Sequence, residues 1–282
     1  MFHVEHSKQT MLRVKDFLVS QEEFSLELDP HLGMLRTIPQ PKNLSSYYES
    51  EDYISHTDEK KGFISFLYQR VKQYSLKKKL KLISNLQKDK GRLLDIGAGT
   101  GSFLAAAKQQ NWSTFGVEPN EKARKLSLEK NVKLENTLAA FEGEKFEVIT
   151  LWHVLEHLPN LENIVKSIED LLSPNGILVI AVPNYKSWDA KYYKSFWAAY
   201  DVPRHLWHFS QKSMTLLFSS KLQLIKTLPL IFDAFYVSLL SEKNKTGSSF
   251  SVRAILVGIW SNLKARPNKE YSSLIYCFRK SD

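Results

Sequence analysis

Cysteine is all but missing from this sequence. Cys277 is the only one in 282 residues, which excludes an intramolecular disulfide framework and fits a reducing compartment. No run of about eighteen apolar residues occurs, so no segment is patterned to cross a bilayer as a helix. The N-terminus carries Glu5, Lys8, Arg13, Lys15 and Asp16 in place of the uninterrupted apolar stretch of a signal peptide, and the expectation is a soluble, cytoplasmic protein. Internal repeats and low-complexity segments are absent as well. Acids are scarce around Arg70, Lys72, Lys77, Lys78, Lys79, Lys81, Lys88, Lys90 and Arg92, where the net charge of +9 is concentrated. One reading of that stretch is a nucleic-acid surface, for RNA and not DNA. Leu80, Leu82, Ile83 and Leu86 interleave with the lysines at roughly helical spacing, so a solvated helix face is preferred.

What is present is 43% hydrophobic residues in a chain long enough for one large α/β domain with additions. From Gly91 onward, short β-branched runs alternate with helical patterns, as in βαβ units and a mainly parallel sheet. Strands are expected at 92–96, 114–118, 132–135, 146–151 and 177–182. Helices are expected at 102–110, from about Glu121, and along the stripe Leu161, Ile164, Val165, Ile168, Leu171 and Leu172, stopped by Pro174, Asn175 and Gly176. Strands at 222–228 and 272–279 would bring the sheet to seven. Between them Val252, Ile255, Leu256, Ile259, Trp260 and Leu263 share one helical stripe. That is ordinary core patterning and predicts a helix packed on the domain; a lid or a membrane-surface helix is the other reading. The expected division is an N-terminal extension over 1–60, a core over 61–228, a helical insertion or lid over 229–270, and a last core strand over 271–282.

The segment Leu93, Leu94, Asp95, Ile96, Gly97, Ala98, Gly99, Thr100, Gly101 ends an expected strand and opens a helix. Glycines there permit a sharp turn and close approach of a ligand to the backbone. A dinucleotide-binding loop places its third glycine one residue later, where this chain has Ser102, and needs no acid before its first glycine. Asp95 points instead to a ligand with an ammonium group, and S-adenosylmethionine carries a cationic amine and a sulfonium. Glu118, at the end of the second strand, is placed for a carboxylate to accept both ribose hydroxyls.

On these residues the sequence resembles the class I methyltransferases over about 90–230. The resemblance implies a Rossmann-like α/β fold, with a seven-stranded, mostly parallel sheet, helices on both faces and an antiparallel last strand. It also implies S-adenosylmethionine as cofactor. Asp95, Gly97, Gly99 and Gly101 would hold its methionine end, Glu118 its ribose and Pro119 its adenine, with Thr137 and Leu138 near the adenine pocket and Trp152 and His153 bordering the cofactor.

The stretch from Trp152 to His157 resembles the ubiquinone-biosynthesis O-methyltransferases, where acidic and histidine side chains have been linked to a divalent metal. His153, Glu156 and His157 would share one face of a helix begun here. Because this chain has histidine where that family has its first acid, no metal is expected. Farther on, Tyr185, Trp188, Asp189, Trp197, Tyr200, Asp201, Arg204, His205, Trp207, His208 and Phe209 follow no period, which suggests a binding loop. The loop is similar to the acceptor loop of small-molecule methyltransferases related to sugar C-methyltransferases, where a histidine serves as base. His205 is the first candidate and His208 the second, since imidazole takes a hydroxyl or carbon-acid proton near neutral pH.

Many such relatives carry an N-terminal zinc ribbon with two Cys-x-x-Cys pairs. Here His3 and His6 have the first pair's spacing, Asp29, His31 and Leu32 occupy the second region, and no cysteine ligand remains. A metal-free remnant is expected, followed by Pro39, Pro41, Tyr47, Tyr48 and Tyr53. The function expected is O- or C-methylation of a small-molecule acceptor. The rivals are an RNA methyltransferase using the basic 70–92 face, a non-catalytic cofactor-binding protein and a nicotinamide oxidoreductase.

Overall fold

The computed structural model describes residues 10–48, 63–248 and 251–281; His3, His6 and Tyr53 lie outside them. Strands β1 (Thr10–Lys15), β2 (Glu23–Asp29) and β3 (Met34–Ile38) form an antiparallel meander. Its inner face follows the two-residue period of a strand, with Phe24 and Leu26 buried between partly exposed neighbours. Asp16 closes the β1–β2 turn by accepting hydrogen bonds from the amides of Leu18, Val19 and Ser20. Helix α1 (Phe63–Leu86) follows the amphipathic pattern read from sequence: Leu80, Leu82 and Ile83 are buried and Lys77, Lys78 and Lys81 face solvent.

The core then runs β4 (Arg92–Ile96), α2 (Ser102–Lys108), β5 (Ser113–Val117), α3 (Glu121–Leu128), β6 (Phe146–Trp152), α4 (Leu161–Leu171) and β7 (Leu172–Pro183). Helix α4 turns Leu161, Val165, Ile168 and Leu171 inward, the stripe its periodicity predicts. The expected break at Pro174–Gly176 is a bulge inside β7. Leu172 already pairs with Phe146, and the ladder shifts register before Val148 meets Ile177.

Next come α5 (Trp188–Tyr193), the two-residue β8 (Trp207–His208), α6 (Gln211–Leu217), β9 (Leu222–Pro229), α7 (Asp233–Thr246), α8 (Val252–Asn268) and β10 (Ser273–Lys280). The main sheet has the order β5-β4-β6-β7-β10-β9, parallel throughout except for β10, which is antiparallel to both neighbours. Strands buried on both faces need cover on both. Leu93, Val148, Ile177 and Val179 pack with α1 and α2, while Leu94, Ile149, Leu178 and Ile180 pack with α4 and α6.

The α/β class and the antiparallel strand agree with expectation, and the strand count does not. The expected strand at 132–135 is a single parallel bridge, Val117 to Glu135. Only the Glu135 amide and carbonyl reach β5, bonding Gly116 and Glu118 at 2.9 Å each, so the ladder never extends to regular strand length.

The meander is not self-contained, because β8 pairs with β3 and makes a four-stranded second sheet. A second departure concerns α8. Its bulky stripe, Val252, Ile255, Leu256, Ile259, Trp260 and Leu263, faces outward, and the small side of the helix packs instead. Ala254, Gly258, Ser261 and Ala265 let the backbone approach α7 so closely that a Cβ on Gly258 would lie 2.8 Å from the Phe235 ring. No helix among the described residues is long and apolar enough to cross a membrane.

Candidate active site

The glycine loop leaves β4 at the carboxyl edge of the sheet, where open α/β folds bind ligands. Gly97, Gly99 and Gly101 have φ of 73°, 53° and 71°, the left-handed region that disfavours any side chain with a Cβ. The Gly97 and Ala98 amides are held by the Val117 carbonyl at 2.8 and 2.9 Å. Glu118 accepts from the Gly99 amide at 2.9 Å and from the Asn120 amide at 2.9 Å. Pro119 is exposed beside it, and Thr137 caps the turn that sets Leu138 against the core. Asp95 is buried and accepts from the Thr150 hydroxyl at 2.5 Å. Burial pushes its carboxyl up to about 7, against the pull of Thr150 and Lys79.

Lys79, from the basic run, turns inward. Its ammonium lies 4.3 Å from the Trp152 ring centroid, and burial lowers its proton affinity against the fields of Asp95 and Asp233. The Trp152 indole N–H is buried without a partner. His153 adopts a φ of 58°, so the expected helix does not begin there; only Leu155–His157 make a 3₁₀ turn. The His153 ring bridges two carboxylates, Asp233 at 3.1 Å and Glu156 at 3.5 Å. Burial alone would lower its proton affinity, yet the two acids raise it to about 10.

Beside this edge lies a cavity of about 480 Å³. Val14, Phe17 and Leu18 of the meander, Trp197 to His205 of the aromatic loop, and Val237 and Leu240 of α7 enclose it. His153, Glu156, Pro183 and Asp233 also line it. The loop is closed at its base, where the Tyr185 amide bonds the Phe209 carbonyl at 3.1 Å. Buried Asp189 ties it to the insertion and β10 by accepting from Trp197, Ser261 and Ser272 at 2.7–2.8 Å.

His205 faces this cavity, its Nδ1 on the Ala199 carbonyl at 2.9 Å and its Nε2 3.9 Å from Asp201. His208 does not. The β8 pairing turns it into the second sheet, where its Nε2 meets the Thr37 hydroxyl at 3.0 Å and burial drives its proton affinity down. His157 joins the site from the other side, with ring centroids 4.4 Å from His205. Burial and the neighbouring His205 lower its value to about 4, so it is neutral near pH 7. Glu156 completes the cluster. Burial would raise its carboxyl, but the surrounding imidazoles, His153 foremost, hold it low.

A methyltransferase-domain profile matches residues 68–221, more than half of the 282 residues. The chain belongs to the methyltransferase-domain family. Its curated relatives include the ubiquinone biosynthesis O-methyltransferase of Pasteurella multocida (strain Pm70), 31% identical over 118 residues, covering 34% of this chain and 49% of that protein. The enzyme of the same name from Histophilus somni (strain 2336) is 31% identical over 113 residues, 34% of this chain and 48% of its own. The methyltransferase spans about half the length of these relatives. Among solved structures, the StiE O-MT segment 961–1257 superposes with a TM-score of 0.51 at 16% identity over 78% of each chain. The cyclopropane synthase MmaA2 from Mycobacterium tuberculosis gives 0.50 at 13% identity over 72% of this chain and 83% of its own. These two likenesses concern the fold alone.

S-adenosylmethionine is the cofactor of this class I methyltransferase, and the loop fits it. A Cβ built on Gly99 meets nothing within 4 Å, so a ligand can lie against that backbone. Gly97 is the opposite case, since its Cβ would fall 2.4 Å from Val154. Gly99→Ala is therefore expected to lower stability by only about 1–2 kcal/mol, the left-handed cost of a side chain, while weakening S-adenosylmethionine binding about a hundredfold by calorimetry. Gly97→Ala is expected to lower the melting temperature further, as the loop and Val154 must separate.

The His153 bridge makes a pH prediction. A histidine raised from about 6.5 in the unfolded chain to about 10 in the fold contributes stability that is complete below pH 6.5 and lost as the pH rises through 10. Melting temperature should fall across that window and stay flatter in His153→Asn; equal slopes would remove the bridge.

Sequence reading did not assign Lys79 or Asp233 to the site. Lys79 is one lysine among many on its helix, and Asp233 opens an insertion that carried no motif.

Proposed function

We propose that this protein transfers the methyl group of S-adenosylmethionine to a hydroxyl or acidic carbon of a small-molecule acceptor, with His205 as base. The observation that carries the reading is the cavity: about 480 Å³, within the range of roughly 300–1,000 Å³ typical of small-molecule sites, enclosed by four chain segments and holding His205 in its wall. A concave site of that size suits a small molecule better than a polynucleotide.

When bound, the cofactor supplies an electrophilic methyl group. Gly97 to Gly101 would cradle its methionine end, the Lys79 ammonium would pair its carboxylate, and the Glu118 carboxylate would accept its ribose hydroxyls. The Ala199 carbonyl orients the His205 ring by accepting from Nδ1–H, which leaves Nε2 with a lone pair for the acceptor proton. The Asp201 carboxylate, 3.9 Å from Nε2, stabilises the imidazolium so formed. Glu156 is buried beside it.

The decisive test is mass-spectrometric tracking of labelled methyl from the cofactor into small-molecule and RNA fractions of a cell extract, alongside calorimetry with S-adenosylmethionine and NAD. Label in one low-mass product supports the reading. Label in RNA alone, or cofactor binding with no labelled product, overturns it.

A second reading rests on one specific cluster. Donor atoms of Glu156, His157 and His205 lie within 4.8 Å of one another, and both Glu156 oxygens are buried without a hydrogen bond. His205 directs Nδ1 to the Ala199 carbonyl at 2.9 Å, the orientation that frees Nε2 for a cation, and His157 Nδ1 lies 2.9 Å from the Tyr48 hydroxyl and 3.1 Å from the Arg204 carbonyl. In this reading the three residues would hold a divalent ion, whose charge would lower the proton affinity of an acceptor hydroxyl. Metal analysis of the purified protein separates the two: activity abolished by chelation and restored by the ion supports the second, and chelation without effect leaves the first.

A further inference from the structure

Two features are left over from the site: the outward stripe of α8 and the basic face of α1. The six stripe residues, Val252, Ile255, Leu256, Ile259, Trp260 and Leu263, are 40–61% exposed, and their spacing of three and four places them on one side of a 17-residue helix. The patch continues through Ile231, whose carbonyl accepts from Asn262, to Phe232, both exposed. Phe232 meets Tyr74 of α1 with centroids 5.9 Å apart. A contiguous apolar face of this kind marks an interaction surface.

Its rim is cationic. Lys264 lies 5.2 Å from the Trp260 ring, Lys78 4.7 Å from Tyr74, and Lys245 5.8 Å from Tyr192, which shares a groove with Leu256 and Trp260. Arg253 and Arg266 lie on α8 itself, which has no acidic residue.

We propose that this face docks the protein on an anionic lipid surface, with α8 lying in the plane of the headgroups. Leucine, isoleucine and tryptophan on one side with lysine and arginine at the edge is the pattern of an interfacial helix, and basic residues near a negative membrane each add to the attraction. The same charges argue against a second copy of this chain. A two-fold contact through this patch would bring the cationic residues Arg253, Lys264 and Arg266 of one copy close to those of the other. Helix α7 lies under α8, with Phe235 against Gly258 and with Val237 and Leu240 lining the cavity, so docking would bring the cavity within one helix of the lipid.

The test is co-sedimentation of the full chain with vesicles of phosphatidylcholine alone or with one third phosphatidylglycerol. The wild type should bind the anionic vesicles at least about tenfold more tightly than the neutral ones, and more weakly as salt rises. The exposed double variant Leu256→Glu/Trp260→Glu should lose that binding about tenfold or more, with S-adenosylmethionine affinity unchanged as the control for folding. Lys264→Glu/Arg266→Glu should lose the preference for anionic vesicles. No vesicle binding by the wild type, or equal binding by all variants, overturns the proposal. So does a concentration-dependent dimer abolished by Leu256→Glu/Trp260→Glu without any vesicle binding, or RNA binding abolished by Lys264→Glu/Arg266→Glu in its place.

Discussion

His205→Ala is expected to lower turnover by about 10²–10⁴-fold, the range contributed by a positioned acid or base, while leaving the dissociation constant for S-adenosylmethionine within about twofold of the wild type. The separation follows from geometry: His205 sits in the cavity wall, whereas Gly97 to Gly101, Lys79 and Glu118, the residues proposed to hold the cofactor, do not line that cavity. His208→Ala serves as the comparison. That ring is committed to Thr37 in the second sheet, so its loss should lower the melting temperature with turnover per folded molecule nearly unchanged. Once an acceptor is in hand, single-turnover kinetics decide the matter. Full turnover by His205→Ala would remove the base, and a comparable loss in His208→Ala would show that the effect is structural.

Arg204→Ala is expected to destabilise the fold by about 3–5 kcal/mol, the cost of leaving a buried carboxylate without its cation, or about 10 °C in melting temperature for a protein of this size. Arg204 is fully buried and donates to Asp16 at 2.9 Å and to Asp201 at 2.6 Å, so one guanidinium clamps the N-terminal meander to the aromatic loop. Asp16 responds accordingly. Burial alone would raise its carboxyl, but the Ser20 amide and Arg204 together hold it below the usual range. That lowered value adds stability present above pH 4 and lost as the pH falls below it. Since Arg204 precedes His205, the variant should also loosen the base. A melting temperature within about 2 °C of the wild type, which corresponds to less than about 1 kcal/mol, would show that the pair contributes little.

The features that were legible in the sequence share a short range. The glycine loop could be read because a strand, a turn and a helix start lie within ten or so residues, and the left-handed backbone at Gly97, Gly99 and Gly101 leaves a trace in residue type. Helix α4 could be read because its stripe is dense and bounded by a stop signal. The strand at 132–135 was over-read: apolar alternation is present there, but pairing depends on a neighbour, and β5 offers it only one bridge. The outward face of α8 was misread for a similar reason. Periodicity identifies a stripe without saying which side packs, and here close approach through Gly258 and its small neighbours outweighs the burial of larger side chains.

By itself the sequence determined the fold class, the glycine loop at the carboxyl end of β4 and the two acids that flank it, because each is written in residues close together in the chain. Only the tertiary structure separates His205 from His208 in space, since three residues of separation carry one side chain into the cavity wall and the other into a β-sheet. Only the tertiary structure drew Lys79 out of a basic run to the side of Asp95, and set Glu156, His157 and His205 in one cluster. Those positions depend on how helices, a meander and a closed loop pack against the carboxyl edge of the sheet, and packing between distant segments leaves no periodic mark in the chain that makes it.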